Sequence, residues 1–176
     1  MNNTPKTLDR LTGVPKTISE IHSITNQGNM FVASEYDLNS SFPKYYILEP
    51  EVPIHYVLSE MEIDSGIVKV ALYEGVEQDG EDIENNILVS ALNRVNVKRP
   101  RMGFKEVAGL DTGNAEKLRE IVLRTEEGVG GREVPFRAFE TLKRILNPEY
   151  KYGLEIIQSS GTTEFMEMEL VWFHYG

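Results

Sequence analysis

His22, His55 and His174 are the first residues to test for chemistry, because imidazole readily moves a proton or binds a transition metal near neutral pH. No two of them form H-x-H, H-x-x-x-H or H-E-x-x-H, so the sequence holds no local metal motif. His174, just beyond Trp172, reads as a hydrogen-bonded structural histidine. No serine stands in a G-x-S-x-G elbow. The absence of cysteine removes a thiol nucleophile, a disulfide framework and any thiolate zinc or iron–sulfur site. Neighbouring carboxylates such as Glu126 with Glu127, and Glu167 with Glu169, read as solvated faces rather than acid–base couples. The expectation is a protein without catalysis, cofactor or bound metal.

Three loop-like segments carry the remaining chemical signals. Residues 74–84 gather six carboxylates, which raises calcium binding. Aligning Gly80 with the invariant glycine of an EF-hand loop puts Gly75 at the first ligand position and Asn86 at the last, and neither is a suitable ligand. The segment therefore reads as a solvated, mobile connection. Gly128-Val129-Gly130-Gly131-Arg132 lacks the Lys-Ser/Thr of a phosphate-binding loop and follows an acidic pair, so it reads as a wide turn. The strongly positive stretch runs from Arg94 through Lys98, Arg99 and Arg101 to Lys105. It reads as a docking surface for an acidic protein partner, which another copy's acidic first half could also supply.

The elements that position these residues read as β-strands. Short segments rich in β-branched and aromatic residues are separated by turn clusters such as Asn39-Ser40-Ser41, Asp64-Ser65-Gly66 and Ser159-Ser160-Gly161. Strands are predicted over 30–36, 44–49, 53–61, 67–74, 88–96, 101–107, 118–125, 136–145, 150–157 and 164–175. Three show the period of two expected of half-buried strands: Val68, Val70 and Leu72; Tyr150, Tyr152, Leu154 and Ile156; and Met166, Met168, Leu170 and Trp172. Such alternation fits an antiparallel sandwich or barrel. Residues 114–124 and 136–146 also contain helix formers, but strands fit their neighbours better. Residues 1–29 stand apart as an N-terminal arm, either a flexible tail or docked on a neighbour, before a domain at 30–176. Leu8, Leu11, Val14, Ile18 and Ile21, with His22 beside them, are spaced to dock on the domain or on a neighbour. Gly13 and Pro15 oppose a continuous helix there.

The chain of 176 residues has a formal net charge of −10. Residues 1–92 hold 5 basic and 15 acidic side chains, and residues 93–176 hold 13 of each, so the whole excess lies in the first half. This balance disfavours nucleic-acid backbones and anionic membranes. No apolar run approaches the roughly 18 residues needed to span a bilayer as a helix, and residues 1–16 lack the apolar middle of a signal peptide, so a soluble, unprocessed chain is expected.

Several strings in order complete the reading: Glu20-Ile21-His22-Ser23, Leu72-Tyr73-Glu74-Gly75, Asn93-Arg94, the glycines around Gly130, Leu146-Asn147-Pro148-Glu149-Tyr150-Lys151-Tyr152, Ile156-Ile157-Gln158-Ser159-Ser160 and Leu170-Val171-Trp172-Phe173-His174. Together they resemble the small virion-associated capsid decoration, or cement, proteins of tailed bacteriophages. The chain departs from that pattern in Phe173, where tyrosine is common, and in a longer basic segment after Asn93. The resemblance implies a jelly-roll-like antiparallel β-sandwich, assembled as a homotrimer in the host cytoplasm. It would sit on the outer face of the virion capsid between subunits of the major capsid protein. The arm, and Arg94, Lys98, Arg99, Arg101 and Lys105, would be the partner-binding residues. The alternative is a virion-surface or tail module that holds host glycan on Tyr45, Tyr46, Tyr73 or Phe173.

Overall fold

A computed structural model describes residues 28–37, 41–63, 66–84, 87–91, 98–124, 126–127, 133–134, 136–137, 142–160 and 165–175. The strands are β1 (Met30–Asp37), β2 (Lys44–Pro50), β3 (Ile54–Ile63), β4 (Ile67–Glu74), β5 (Glu77–Asp82), β6 (Leu88–Ala91) and β7 (Met102–Asp111). They continue with β8 (Glu116–Arg124), β9 (Glu126–Glu127), β10 (Glu133–Val134), β11 (Phe136–Arg137), β12 (Leu142–Leu146), β13 (Tyr152–Ser160) and β14 (Met166–Phe173). One six-stranded sheet has the order β11-β3-β14-β1-β6, with β12 also on β3; the second has the order β5-β7-β2-β13-β4-β8. The ladders are antiparallel, and β9 pairs with β10 across the glycine-rich segment. Successive strands from β1 to β4 alternate between the sheets, as do β13 and β14. This is a jelly-roll-like antiparallel β-sandwich.

The period of two explains which sequences take the central positions. In β14, Met166, Met168, Leu170 and Trp172 are all buried, whereas Glu167 faces solvent. In β13, Tyr152, Leu154 and Ile156 point into the same core, and in β4 Val68, Val70 and Leu72 do so. A strand whose alternate residues are all large and apolar loses least by lying between two neighbours, since its ladder and its core face are both covered. Hence β14 lies between β1 and β3, and β13 between β2 and β4. Tyr150, expected on the same face as Tyr152, instead precedes the strand in the turn after Asn147 and is exposed.

A smaller apolar cluster forms on the outer face of the second sheet from Ala71, Tyr73 and Val76, with Leu110 and Ala115 against it. Gly153 makes room for this layer. A Cβ there would lie 2.7 Å from Leu110 Cδ1 and 3.0 Å from Val76 Cγ1, inside van der Waals contact.

Residues 77–82 correct the expectation of a mobile acidic connection. They form edge strand β5 on β7, with an irregularity between Asp79 and Asp82. An edge strand needs no apolar face to form a ladder, so hydrophobic spacing cannot reveal it. Within 114–124, Glu116–Arg124 forms β8, and β11 and β12 occupy the described parts of 136–146. Gly28 and Asn29, assigned to the arm by sequence, are buried in the sandwich. Residues 1–27, including Leu8, Leu11, Val14, Ile18, Ile21 and His22, lie outside the described residues.

Tyr152 ties the end of β13 to its surroundings. Its hydroxyl donates to Glu74 Oε2 at 2.7 Å and accepts from the Asn147 N–H at 2.8 Å. Burial, then the Glu74 hydrogen bond, pushes the phenol up to about 12 from 10.0. An unfolded chain ionises its tyrosines near pH 10, so the contribution is complete below about pH 10 and is lost as pH rises toward about 12. Tyr152→Phe is expected to cost about 1–2 kcal/mol near neutral pH and to flatten part of the alkaline fall in stability. Urea titrations near neutral pH and at about pH 11 measure both effects.

Candidate functional site

The segment Lys98-Arg99-Pro100-Arg101 enters β7 beside the turn between β2 and β3 and the end of β14. Backbone bonds fix it there: Lys98 N donates to Gly28 O at 3.4 Å, and Glu51 N donates to Arg101 O at 2.8 Å. His174 N donates to Asn29 O at 3.3 Å, holding the end of β14 against the start of β1. A cleft of about 430 Å³ results, lined by Val52, Lys98, Arg99, Arg101, His174 and Tyr175. Proline at 100 suits this place, because a residue with no N–H cannot continue a ladder.

The cleft carries surplus positive charge. Arg99 Nη2 donates to Glu51 Oε1, and Arg101 Nη1 lies 3.6 Å from Glu51 Oε2. Three cations against that one carboxylate leave a formal +2. Both arginines are substantially exposed, at 72% and 45% of the side chain, and exposed pairs of this kind are worth only about 0–1 kcal/mol. The guanidinium groups are therefore available to an incoming anion.

His174 forms the inner wall and is only 6% exposed. Its ring stacks on Phe31 at 6.1 Å, and Phe31 stacks on Trp172 at 5.9 Å, so an aromatic column runs from the core to the cleft. Burial chiefly holds the imidazole below its ordinary value of 6.5, and the Arg101 and Lys98 charges push the same way, against hydrogen bonding of the ring to the Tyr175 and Arg99 backbone carbonyls. The ring is neutral near pH 7. Its Nε2 has no hydrogen-bond partner among the described residues. On the outer side, Tyr175 meets His55 and Phe173 edge-on, at 5.1 and 5.8 Å, and these two stack at 4.7 Å.

The structure divides the basic residues singled out by sequence. Lys98, Arg99 and Arg101 converge on the cleft. Lys105 does not: its Nζ donates to Gln78 Oε1 and Asp82 Oδ1, both at 2.9 Å, and so clamps β5 to β7. Hydrogen bonds from Lys105 and then Gln78 hold the Asp82 carboxyl below its ordinary value. Arg94 lies outside the described residues. Among the described residues, no three His, Cys, Asp or Glu side chains gather as a metal site. Of the aromatic residues considered for glycan stacking, Tyr46 is wholly enclosed in the core, and Tyr73 is buried with its hydroxyl on Glu155.

Sequence reasoning missed the partners of the basic stretch, Val52, His174 and Tyr175, because they come from the β2–β3 turn and from the segment after β14, both distant in sequence. It also missed a buried charge cluster between the sheets. Lys44 Nζ lies 2.9 Å from Glu35 Oε1 and 3.6 Å from Glu106 Oε1, and all three residues are buried. The signal was present as phase: Glu35 follows Phe31 and Ala33 on an inward face, and Lys44 precedes Tyr46 and Leu48 on another. Comparison with family models, curated proteins and solved structures gives no match.

Proposed function

We propose that this chain is a structural virion protein, a capsid decoration or cement protein that docks on the outer face of a phage head between major capsid protein subunits. The observation that supports the reading best is the cationic cleft on a chain whose overall charge is −10. Such a surface repels polyanions at long range but accepts an acidic protein patch of matching size, so charge sets orientation and encounter rate more than affinity. Cement proteins need little from each contact. Repetition over a shell of identical sites converts weak docking into firm attachment.

In this reading the protein is a homotrimer made in the host cytoplasm, uses no cofactor and catalyses nothing, and binds neither nucleic acid nor membrane. The N-terminal arm, through Leu8, Leu11, Val14, Ile18 and Ile21, adds apolar contacts of about 1.5–3 kcal/mol for each side chain fully buried. The test is location. Quantitative mass spectrometry of gradient-purified particles from the phage that encodes the chain should recover it in fixed proportion to the major capsid protein. Its absence from intact particles would remove this function.

A further inference from the structure

The outer face of the sheet that holds β14 is apolar only at the end where the chain enters it. Register places Ile145, His55, Phe173 and Met30 in one row across β12, β3, β14 and β1, and Val171 beside Val32 in the next row of that face. Farther along β14 the same face carries Glu169 and Glu167. Ile145 and Tyr175 are 64% and 59% exposed, and Phe173 and Val171 are half-buried. None of these four belongs to either apolar cluster of the sandwich. The rings are held in place, since Phe173 stacks on His55 and Tyr175 meets both edge-on. A contiguous apolar band with a charged border is the mark of a surface that another segment or molecule covers.

We infer that residues 17–27 of the same chain cover this band, with Ile18, Ile21 and Ile24 lying across the row from Met30 toward Ile145. The segment joins the fold at the band itself. Gly28 and Asn29 directly precede Met30, and the Asn29 carbonyl accepts from the His174 N–H at 3.3 Å, one residue beyond Phe173. Gly28 has φ 74°, a left-handed value natural to glycine, so the chain bends there instead of running on in line with β1. The length suffices as well. Met30 and Ile145 are three strand spacings apart, about 14 Å, whereas the nine residues back to Ile21 can span up to about 30 Å. The composition matches, because residues 17–27 hold three isoleucines and Glu20 as the single formal charge. A tether at this point keeps the segment near the band at an effective concentration of order millimolar, which a second copy or a free ligand lacks. Leu8, Leu11 and Val14 lie farther out and remain for a neighbouring subunit. The inference concerns this chain alone and does not depend on the capsid reading.

The chain has no cysteine, so Glu20→Cys places a single nitroxide spin label between Ile18 and Ile21 and leaves the isoleucines in place. Amide ¹H–¹⁵N spectra of the full labelled chain, before and after reduction of the label, read which residues it approaches. Loss of intensity is expected at Ile145, Phe173 and Tyr175, with Val122 on the opposite sheet unaffected. Adding Ile18→Asp and Ile21→Asp to the labelled chain should restore the Phe173 and Tyr175 signals. Ile145→Asp should restore them too, and its position is exposed, so the core is untouched. Losses centred on Lys98, which adjoins Gly28, and unchanged by the aspartates would describe an arm that is tethered but undocked, and would overturn the inference. A mixture of labelled ¹⁴N chain with unlabelled ¹⁵N chain tests the neighbour. Equal losses at Phe173 and Tyr175 in that mixture would assign the band to the arm of another copy and overturn the assignment to the same chain. Either failure leaves the recovery of the protein from purified particles unaffected.

Discussion

Trp172→Ala is expected to destabilise the sandwich by about 3–5 kcal/mol, a large part of the roughly 5–15 kcal/mol that a domain of this size has in total. Trp172 lies on β14 between β1 and β3, is fully enclosed, and stacks on Phe31 at 5.9 Å. Truncation removes an indole that buries roughly 150–250 Å² and leaves a cavity in the core. The column through Phe31 to His174 would lose its base, so the cleft wall should loosen as well. Trp172→Phe tests the account with a milder change. Its cost should be near 1 kcal/mol, since most of the ring is kept and an indole N–H without a partner among the described residues is removed. Urea unfolding followed by circular dichroism measures both, because the sole tryptophan is lost in each variant. A cost below about 1 kcal/mol for Trp172→Ala would contradict the placement of this residue in the core.

The second large effect is expected from Lys44→Met. Glu35 comes from one sheet, and Lys44 and Glu106 from the other, so the lysine holds two carboxylates between the layers. Removing the cation leaves both acids buried near each other without it, and breaking a buried ion pair in this way typically costs about 3–5 kcal/mol. Replacing all three charges at once, with Lys44→Met, Glu35→Gln and Glu106→Gln, should recover more than half of that loss, because no ion then has to be desolvated. The comparison separates charge from packing. If the triple variant were as unstable as the single one, the cluster would matter for its shape and not for its charges.

The sandwich was legible where a strand is apolar on one face. Val68, Val70 and Leu72, and Met166 through Trp172, announce both period and burial, and the structure places them in the core as expected. Strand β5 was not legible, because its residues are polar on both sides and it is held by the β7 ladder and Lys105. The cleft was half legible. A run of cations from Lys98 to Arg101 is visible in one dimension, but its buried histidine and its internal counter-ion Glu51 are neighbours only after β2, β7 and β14 converge. Lys105 shows the same limit in reverse. It belongs to the run by sequence, yet its position along β7 directs it to Asp82.

The proposed function requires that the Lys98–Arg101 end of the sandwich dock on an acidic protein surface of a phage head. Co-sedimentation of the purified chain with isolated heads of the phage proposed to carry it, from about 50 mM to about 500 mM salt, tests it most directly. The account predicts binding that weakens as salt rises, is lost in the Arg99→Glu/Arg101→Glu variant, and persists in Lys105→Glu. Binding that is indifferent to salt and to reversal of both arginines would contradict it.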